Sequence, residues 1–508
     1  MMINKTFMPY IFYSILVAYL LIGTGYVSDD FICLDQAKNK PLSYLLTPSG
    51  PFLHVPIERV TQYAWYGIFN PYNTILVDII KVLYMLLSLF LIAKFFSLYL
   101  DKNSSYFAAF LFIFFPSHDS TTYWFLEQSI TLSFAFYLYS FYKAEKNKLA
   151  ESFIFALAAS FISYGSPAVA LALFALFAMK REINKGTIIL LPNIFFILYN
   201  TSLSIIYREN IVKIGNSINL ASFLKQYIFQ ILTFLDAMAG PSALMKIYYS
   251  VQQLTVVSII ACLLISLVIY RYCRGNIYRY NFHLLVSLAT MIMLSFMMFA
   301  LTGRYPQLSF NLGNRTTIFG ALLVVYLLMA MPANKLMKNA IYILLIISIF
   351  VISDHWKAWS LNQQYIMARI KNNRALQEYS DSRPIYVSGN QYSMYGKISH
   401  IDFFSEDVVE SVFKIVLGKN ILVRPINRRF YYEDGFLVDV KYGETIQVNG
   451  YINVYDSISD SLFMVKAEDI NSYIDSLPHD NRNWAQLLNI GAVKRIAVGL
   501  MPRLEYAL

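Results

Sequence analysis

Charge is scarce in this chain. Only 14% of its 508 residues are Asp, Glu, Lys or Arg, against roughly 25% in ordinary soluble domains. With 57% hydrophobic and 17% aromatic residues, that shortage excludes a disordered chain and argues against an ordinary soluble enzyme. Cysteine is nearly absent: Cys33, Cys262 and Cys273 form no disulfide framework and have no zinc-ligand spacing. A Walker loop, a Gly-x-Gly-x-x-Gly before a helix in the tail, His-Glu-x-x-His and Gly-x-Ser-x-Gly are all missing, so nucleotide-driven transport and serine hydrolysis lose support. No internal repeat or low-complexity tract is visible. The net charge of +10 does not indicate nucleic acid, because the basic residues sit at the ends of apolar runs, where membrane topology uses them.

Long apolar sequence dominates instead. A helix needs about 20 apolar residues to cross the hydrocarbon core, and long apolar runs lie near 8–26, 74–99, 187–207, 254–272, 282–301, 316–332 and 339–354. Runs near 105–118 and 121–141 are parted by Pro116-Ser117-His118-Asp119-Ser120, which predicts a tight turn at one membrane face. The stretch 149–179 breaks at Ser163-Tyr164-Gly165-Ser166-Pro167. Two short opposed helices there keep the basic flanks, Lys143 to Lys148 and Lys180 to Lys185, on one side. The expectation is an all-α polytopic membrane region over residues 1–354 with about eleven spans. Residues 1–26 read as an uncleaved anchor, since no small-residue cleavage site follows the apolar stretch.

Placing the N-terminus in the cytoplasm concentrates Lys and Arg in the short inside segments. Loops 27–73 and 208–253, and everything after the last span, are then extracytoplasmic. This predicts a multi-pass protein of the inner (plasma) membrane. After about residue 355 charged residues of both signs become frequent and apolar runs stop. That predicts a soluble extracytoplasmic α/β domain over 355–508, with strands at 384–388, 421–424, 436–440, 445–448, 451–455 and 462–466 and helices at 355–378 and 404–417.

Several residues have the chemistry of a site. Asp29 and Asp30 are adjacent carboxylates where the first span leaves the bilayer. A low-dielectric setting and a like-charged neighbour both raise a carboxylate pKa and suit it to general-base work; taken alone, the pair reads more plainly as a marker of the water interface. A helix over 32–46 is expected to lie on the surface, with Phe31, Leu34, Leu42 and Leu45 as its apolar side. Asp119 follows His118 in the Pro116 loop, and Glu127 is expected one to two turns into the next span, where a carboxylate is a functional candidate. Asp78 and Lys81 are spaced to neutralise each other and read as structural. Arg304 and Arg315 bracket an outside loop and suit paired recognition of a phosphate; helix anchoring at headgroup level is the plainer alternative. The 208–253 stretch reads as a mobile cover or a fixed interfacial helix pair.

The order of these features resembles the GT-C superfamily of integral-membrane glycosyltransferases. Val27-Ser28-Asp29-Asp30-Phe31 resembles its Asp-Asp or Asp-Glu signature. Asn70-Pro71 with Asp78, then Pro116, His118 and Trp124, resemble segments of the transmembrane-and-tetratricopeptide mannosyltransferases, and Gly165-Ser166-Pro167 sits where a Ser-Lys-Pro turn is common in them. The resemblance covers about residues 8–180 and not 355–508. It departs at Phe115 and Ser120, where that group carries histidine and often glutamate, and there is no tetratricopeptide tail. The resemblance implies a polyprenyl-phosphate-linked sugar as donor substrate and inverting transfer to an acceptor hydroxyl on a glycan, lipid or protein. It further implies Asp29 as base, with Asp30 orienting the acceptor or a divalent cation. Asp119 or Glu127 would be the second acid if one is needed. From residue chemistry and the expected topology, Arg304 and Arg315 would hold the donor phosphate, with His118, Arg59 and Arg208 as accessory candidates. Two alternatives stand beside this: an O-antigen polymerase or ligase type of enzyme, for which Arg208 and the 208–253 loop speak, and a flippase for lipid-linked sugars, which would predict pseudo-symmetric halves that are not visible.

Overall fold

Apolar runs fold as helices in a bilayer because each backbone polar group must be satisfied within its own segment. A computed structural model describes residues 8–46, 55–207, 219–272, 281–303, 305–330, 335–440, 443–488 and 491–500. Among these, six helices are long and apolar enough to cross a membrane: Ile75–Phe96, Ile183–Tyr207, Leu220–Gln252, Phe282–Thr302, Leu312–Ala330 and Leu336–Asn372. Six, not eleven, meet that length. Pro9–Leu21, Leu149–Ile162, Ser166–Met179 and Val256–Leu267 have 10–17 residues. At 1.5 Å per residue a 14-residue helix rises about 21 Å, short of the roughly 30 Å core.

Two further differences follow from local sequence. The 208–253 stretch, expected outside the membrane as a mobile cover or an interfacial helix pair, contains the helix pair Leu220–Ala239 and Pro241–Gln252, jointed at Gly240-Pro241, and Leu220–Gln252 as a whole is long and apolar enough to cross a membrane. The Lys335–Asn372 helix runs for 38 residues straight through position 355. The composition change there does not mark its end, and Ile366, Met367 and Ile370 beyond it are buried in a hydrophobic core. The break at residues 163–165 does separate two 14-residue helices.

Beyond that long helix lies a small sheet region. Val423–Pro425, Ile385–Ser388 and Tyr451–Asp456 pair in parallel, and Ser461–Lys466 adds an antiparallel edge. The parallel pair needs a crossover, and the Glu406–Leu417 helix provides it. A hairpin, Tyr392–Tyr395 with Ile398–Asp402, and a three-stranded meander over Phe430–Glu433, Phe436–Asp439 and Glu444–Gln447 complete the region. The hairpin turns at Gly396, whose φ is +65° and whose missing Cβ would lie 2.3 Å from the Tyr249 ring. Only glycine allows that turn to sit against the Pro241–Gln252 helix.

The segment after the first apolar helix is buried in this region. Residues Asp29–Asn39 form a helix packed against Glu406–Leu417. Phe31 and Leu34 share one core with Val408, Val409, Val412, Phe413 and Val416. The valine spacing makes one apolar stripe, and truncating Phe31 to Ala would cost about 3–5 kcal/mol. The expected surface helix over 32–46 is therefore half right: it stops at Asn39, and Leu42 is 71% exposed.

Candidate functional site

The position of Asp29 is built from the turn before it. After the Met8–Leu21 helix the chain reverses at Gly23 and Gly25, with φ of +94° and +58°. The Asp78 carboxylate accepts both glycine N–H groups, at 2.8 and 2.9 Å. Lys81 donates to Thr24 Oγ1 at 3.1 Å and to the Gly25 carbonyl. Asp78 and Lys81 thus have the structural role expected of them. Ser28 follows with φ of 49°, a strained value for a residue with a Cβ.

The two adjacent acids then part company. Asp30 is fully buried. Its oxygens accept from the Val27 N–H at 2.8 Å, the Tyr66 hydroxyl at 2.5 Å and the Leu126 N–H at 3.3 Å. These three donors pin the buried carboxylate in place, and it does not line the cavity described below, so it does not fit the expected role of holding an acceptor or a divalent cation. Asp29 is partly exposed and lines a cavity of about 500 Å³. Burial raises its pKa to about 6; the Asp402 charge pushes the same way and Arg315 opposes.

The cavity lies where the helical part meets the sheet region. It is lined by Ser28, Asp29 and Ile32 and by Trp124, Tyr305, Asn311, Leu312, Gly313 and Arg315. Tyr392, Asp402, Ser405, Val408 and Arg482 come from the sheet region. Arg315 donates to Glu127 at 2.9 Å and sits over the rings of Trp124 and Tyr305, 5.5 and 5.7 Å from their centroids. A guanidinium held by one carboxylate oxygen and two aromatic faces keeps a fixed direction and retains donors for a ligand. Arg482, also in the lining, donates to the Tyr392 hydroxyl and lies 4.8 Å from that ring's centroid.

The remaining expected residues lie elsewhere. Glu127 is in a 3-10 turn ahead of the Gln128–Glu145 helix, not inside it, and serves Arg315. Asp119 is 2% exposed and not at a water-facing turn. One of its oxygens accepts from Lys246 at 2.8 Å and from Asn314; the other accepts from Trp356 and His400, each at 2.8 Å. Burial alone would raise its pKa, but Lys246 and His400 hold the carboxylate well below its ordinary range. Four donors leave Asp119 no capacity to act as a second acid. His118 is fully buried, its Nδ1 2.8 Å from Thr121 Oγ1, and burial lowers its pKa to about 4. Arg59 donates to Gln62 at 3.3 Å, away from the cavity lining. Beside it, burial raises the Glu58 pKa to about 7, with Arg59 opposing. Arg304 and Arg208 lie outside the described residues.

Tyr305, Tyr392, Asp402 and Arg482 were not singled out from sequence. The one local signal is the five-residue strand Ile398–Asp402, which carries three polar residues, Ser399, His400 and Asp402. Among the described residues, no group of three or more His, Cys, Asp or Glu side chains is arranged to hold a metal ion. No protein-family model matches the chain, and no curated protein matches it.

Proposed function

We propose that this chain is an integral-membrane glycosyltransferase. It takes a sugar from a polyprenyl-phosphate donor and passes it, with inversion, to an acceptor hydroxyl. One observation carries the reading: Asp29, alone of the adjacent acids, lines a cavity that Arg315 also lines. In the proposed step the acceptor oxygen attacks the anomeric carbon while Asp29 takes its proton. The bond from that carbon to the phosphate oxygen breaks with both electrons leaving on the phosphate. Arg315, aimed by Glu127, neutralises the charge developing there. Membrane helices at the cavity suit a lipid-borne donor. The reading places the cavity and sheet region on the extracytoplasmic side of an inner or plasma membrane, the side the Lys and Arg distribution gives when the shorter apolar helices cross as well.

The test uses the full chain purified in detergent, incubated with synthetic polyprenyl-phosphate sugars and a panel of lipid and glycan acceptors. Transfer with inverted anomeric configuration supports the reading. Absence of donor consumption across the panel, or retention of configuration, contradicts it.

A further inference from the structure

We infer that His400 is a positioning residue that locks the cavity wall at Asn311–Arg315 to the strand that carries Asp402. His400 is fully buried and does not line the cavity, so it touches no ligand there. Its Nδ1 accepts the Asn311 backbone N–H at 3.0 Å. A backbone N–H only donates, so Nδ1 is the bare nitrogen and the ring proton sits on Nε2. That proton faces Asp119 at 2.8 Å. One tautomer therefore satisfies both sides, and the ring bridges two parts of the chain far apart in sequence.

The wall on the other side of this bridge needs holding. Asn311 has φ of 55°, an uncommon value for a residue with a side chain. Its Oδ1 accepts the Gly313 N–H at 2.9 Å, and Asn314 donates to the same Asp119 carboxylate. Asn311, Gly313 and Arg315 all face the cavity. Two residues along the strand from His400 is Asp402, beyond an irregularity in the strand pairing, and it too lines the cavity. His400 thus ties the segment that carries Asn311, Gly313 and Arg315 to the strand that ends at Asp402.

The test compares His400→Ala, His400→Gln and His400→Asn in the full chain. The Asn side-chain oxygen can stand in for Nδ1 and keep the Asn311 contact; Gln reaches toward Asp119 instead. Amide hydrogen exchange over residues 305–316 should speed up about tenfold in the Ala and Gln variants and stay near wild type in Asn, with residues 430–447 unchanged. Unchanged exchange at 305–316, or an equal rise at 430–447, overturns the inference. Should the Ala variant fail to fold, the Gln and Asn pair decides. A second readout rests on the glycosyltransferase reading: His400→Gln should raise the donor KM about tenfold with kcat nearly unchanged, and His400→Asn should restore it. An unchanged KM alongside faster exchange overturns the positioning role. A wild-type chain inactive toward every lipid-linked sugar sinks the functional reading and leaves the exchange result to judge the lock by itself.

Discussion

The sharpest consequence of the cavity concerns its proton balance. Asp29 has its pKa raised from 3.8 to about 6, first by burial and then by Asp402, while Arg315 opposes the rise. A general base works only when deprotonated. At pH 7 about nine-tenths of Asp29 is then ionised, and at pH 5 about one-tenth. The kcat/KM for transfer should fall about tenfold per pH unit below an inflection near 6, and stay flat above it. The sign of two substitutions follows. Asp402→Asn removes a like charge, so the inflection should move to lower pH. Arg315→Gln removes an opposing charge, so it should move to higher pH, separately from any loss of donor binding. The assay is the initial rate at subsaturating donor between pH 4.5 and pH 8.5, with protein integrity checked at each pH. A flat profile across that range, or an inflection that rises in Asp402→Asn, would refute the reasoning.

Other expectations rest on single contacts. Asp119→Asn leaves Lys246 a buried charge without its counter-ion and should cost about 3–5 kcal/mol in denaturant or thermal unfolding; a loss under about 1 kcal/mol would mean the pair is far better hydrated than its burial implies. Glu58 has its folded pKa raised to about 7, so it favours the folded state below its unfolded pKa and loses that contribution as pH rises through 7. Glu58→Gln should therefore flatten the decline of Tm between pH 5 and pH 8, and an equally steep decline would contradict this. Gly396→Ala forces a side chain into the left-handed region against Tyr249 and should lower Tm by several degrees, whereas Gly435→Ala, at φ of +84° but with open space around it, should cost less.

Much of the sheet region was legible because strands of this kind announce themselves by alternation between turn residues. Ile385–Ser388, Phe436–Asp439 and Tyr451–Asp456 lie within a residue or so of their expected places. The hairpin Tyr392–Tyr395 with Ile398–Asp402 and the strand Phe430–Glu433 are not marked in the sequence, since none of them alternates cleanly between apolar and polar residues. Span counting failed for a different reason. The count of about eleven includes apolar runs too short to span, and the Lys102–Ile113 helix has 12 residues before the expected Pro116 turn.

The site was legible only in its local half. Asp29 and Arg315 carry chemistry that stands out in an apolar sequence. The partners that decide what each acid does come from far along the chain. Asp119 meets Lys246, Asn314, Trp356 and His400, and nothing in its own neighbourhood announces them. The contrast between Asp29 and Asp30 is likewise invisible in a dipeptide. It arises because Tyr66 and the Leu126 N–H claim one carboxylate and leave the other facing the cavity.

The most direct measurement is a cryo-EM map of the full chain with a non-hydrolysable polyprenyl-phosphate sugar bound. The account predicts phosphate oxygens within hydrogen-bond reach of the Arg315 guanidinium and the sugar's anomeric carbon in the cavity on the side of Asp29. A donor seated at any other place in the molecule, with this cavity left empty, would contradict it.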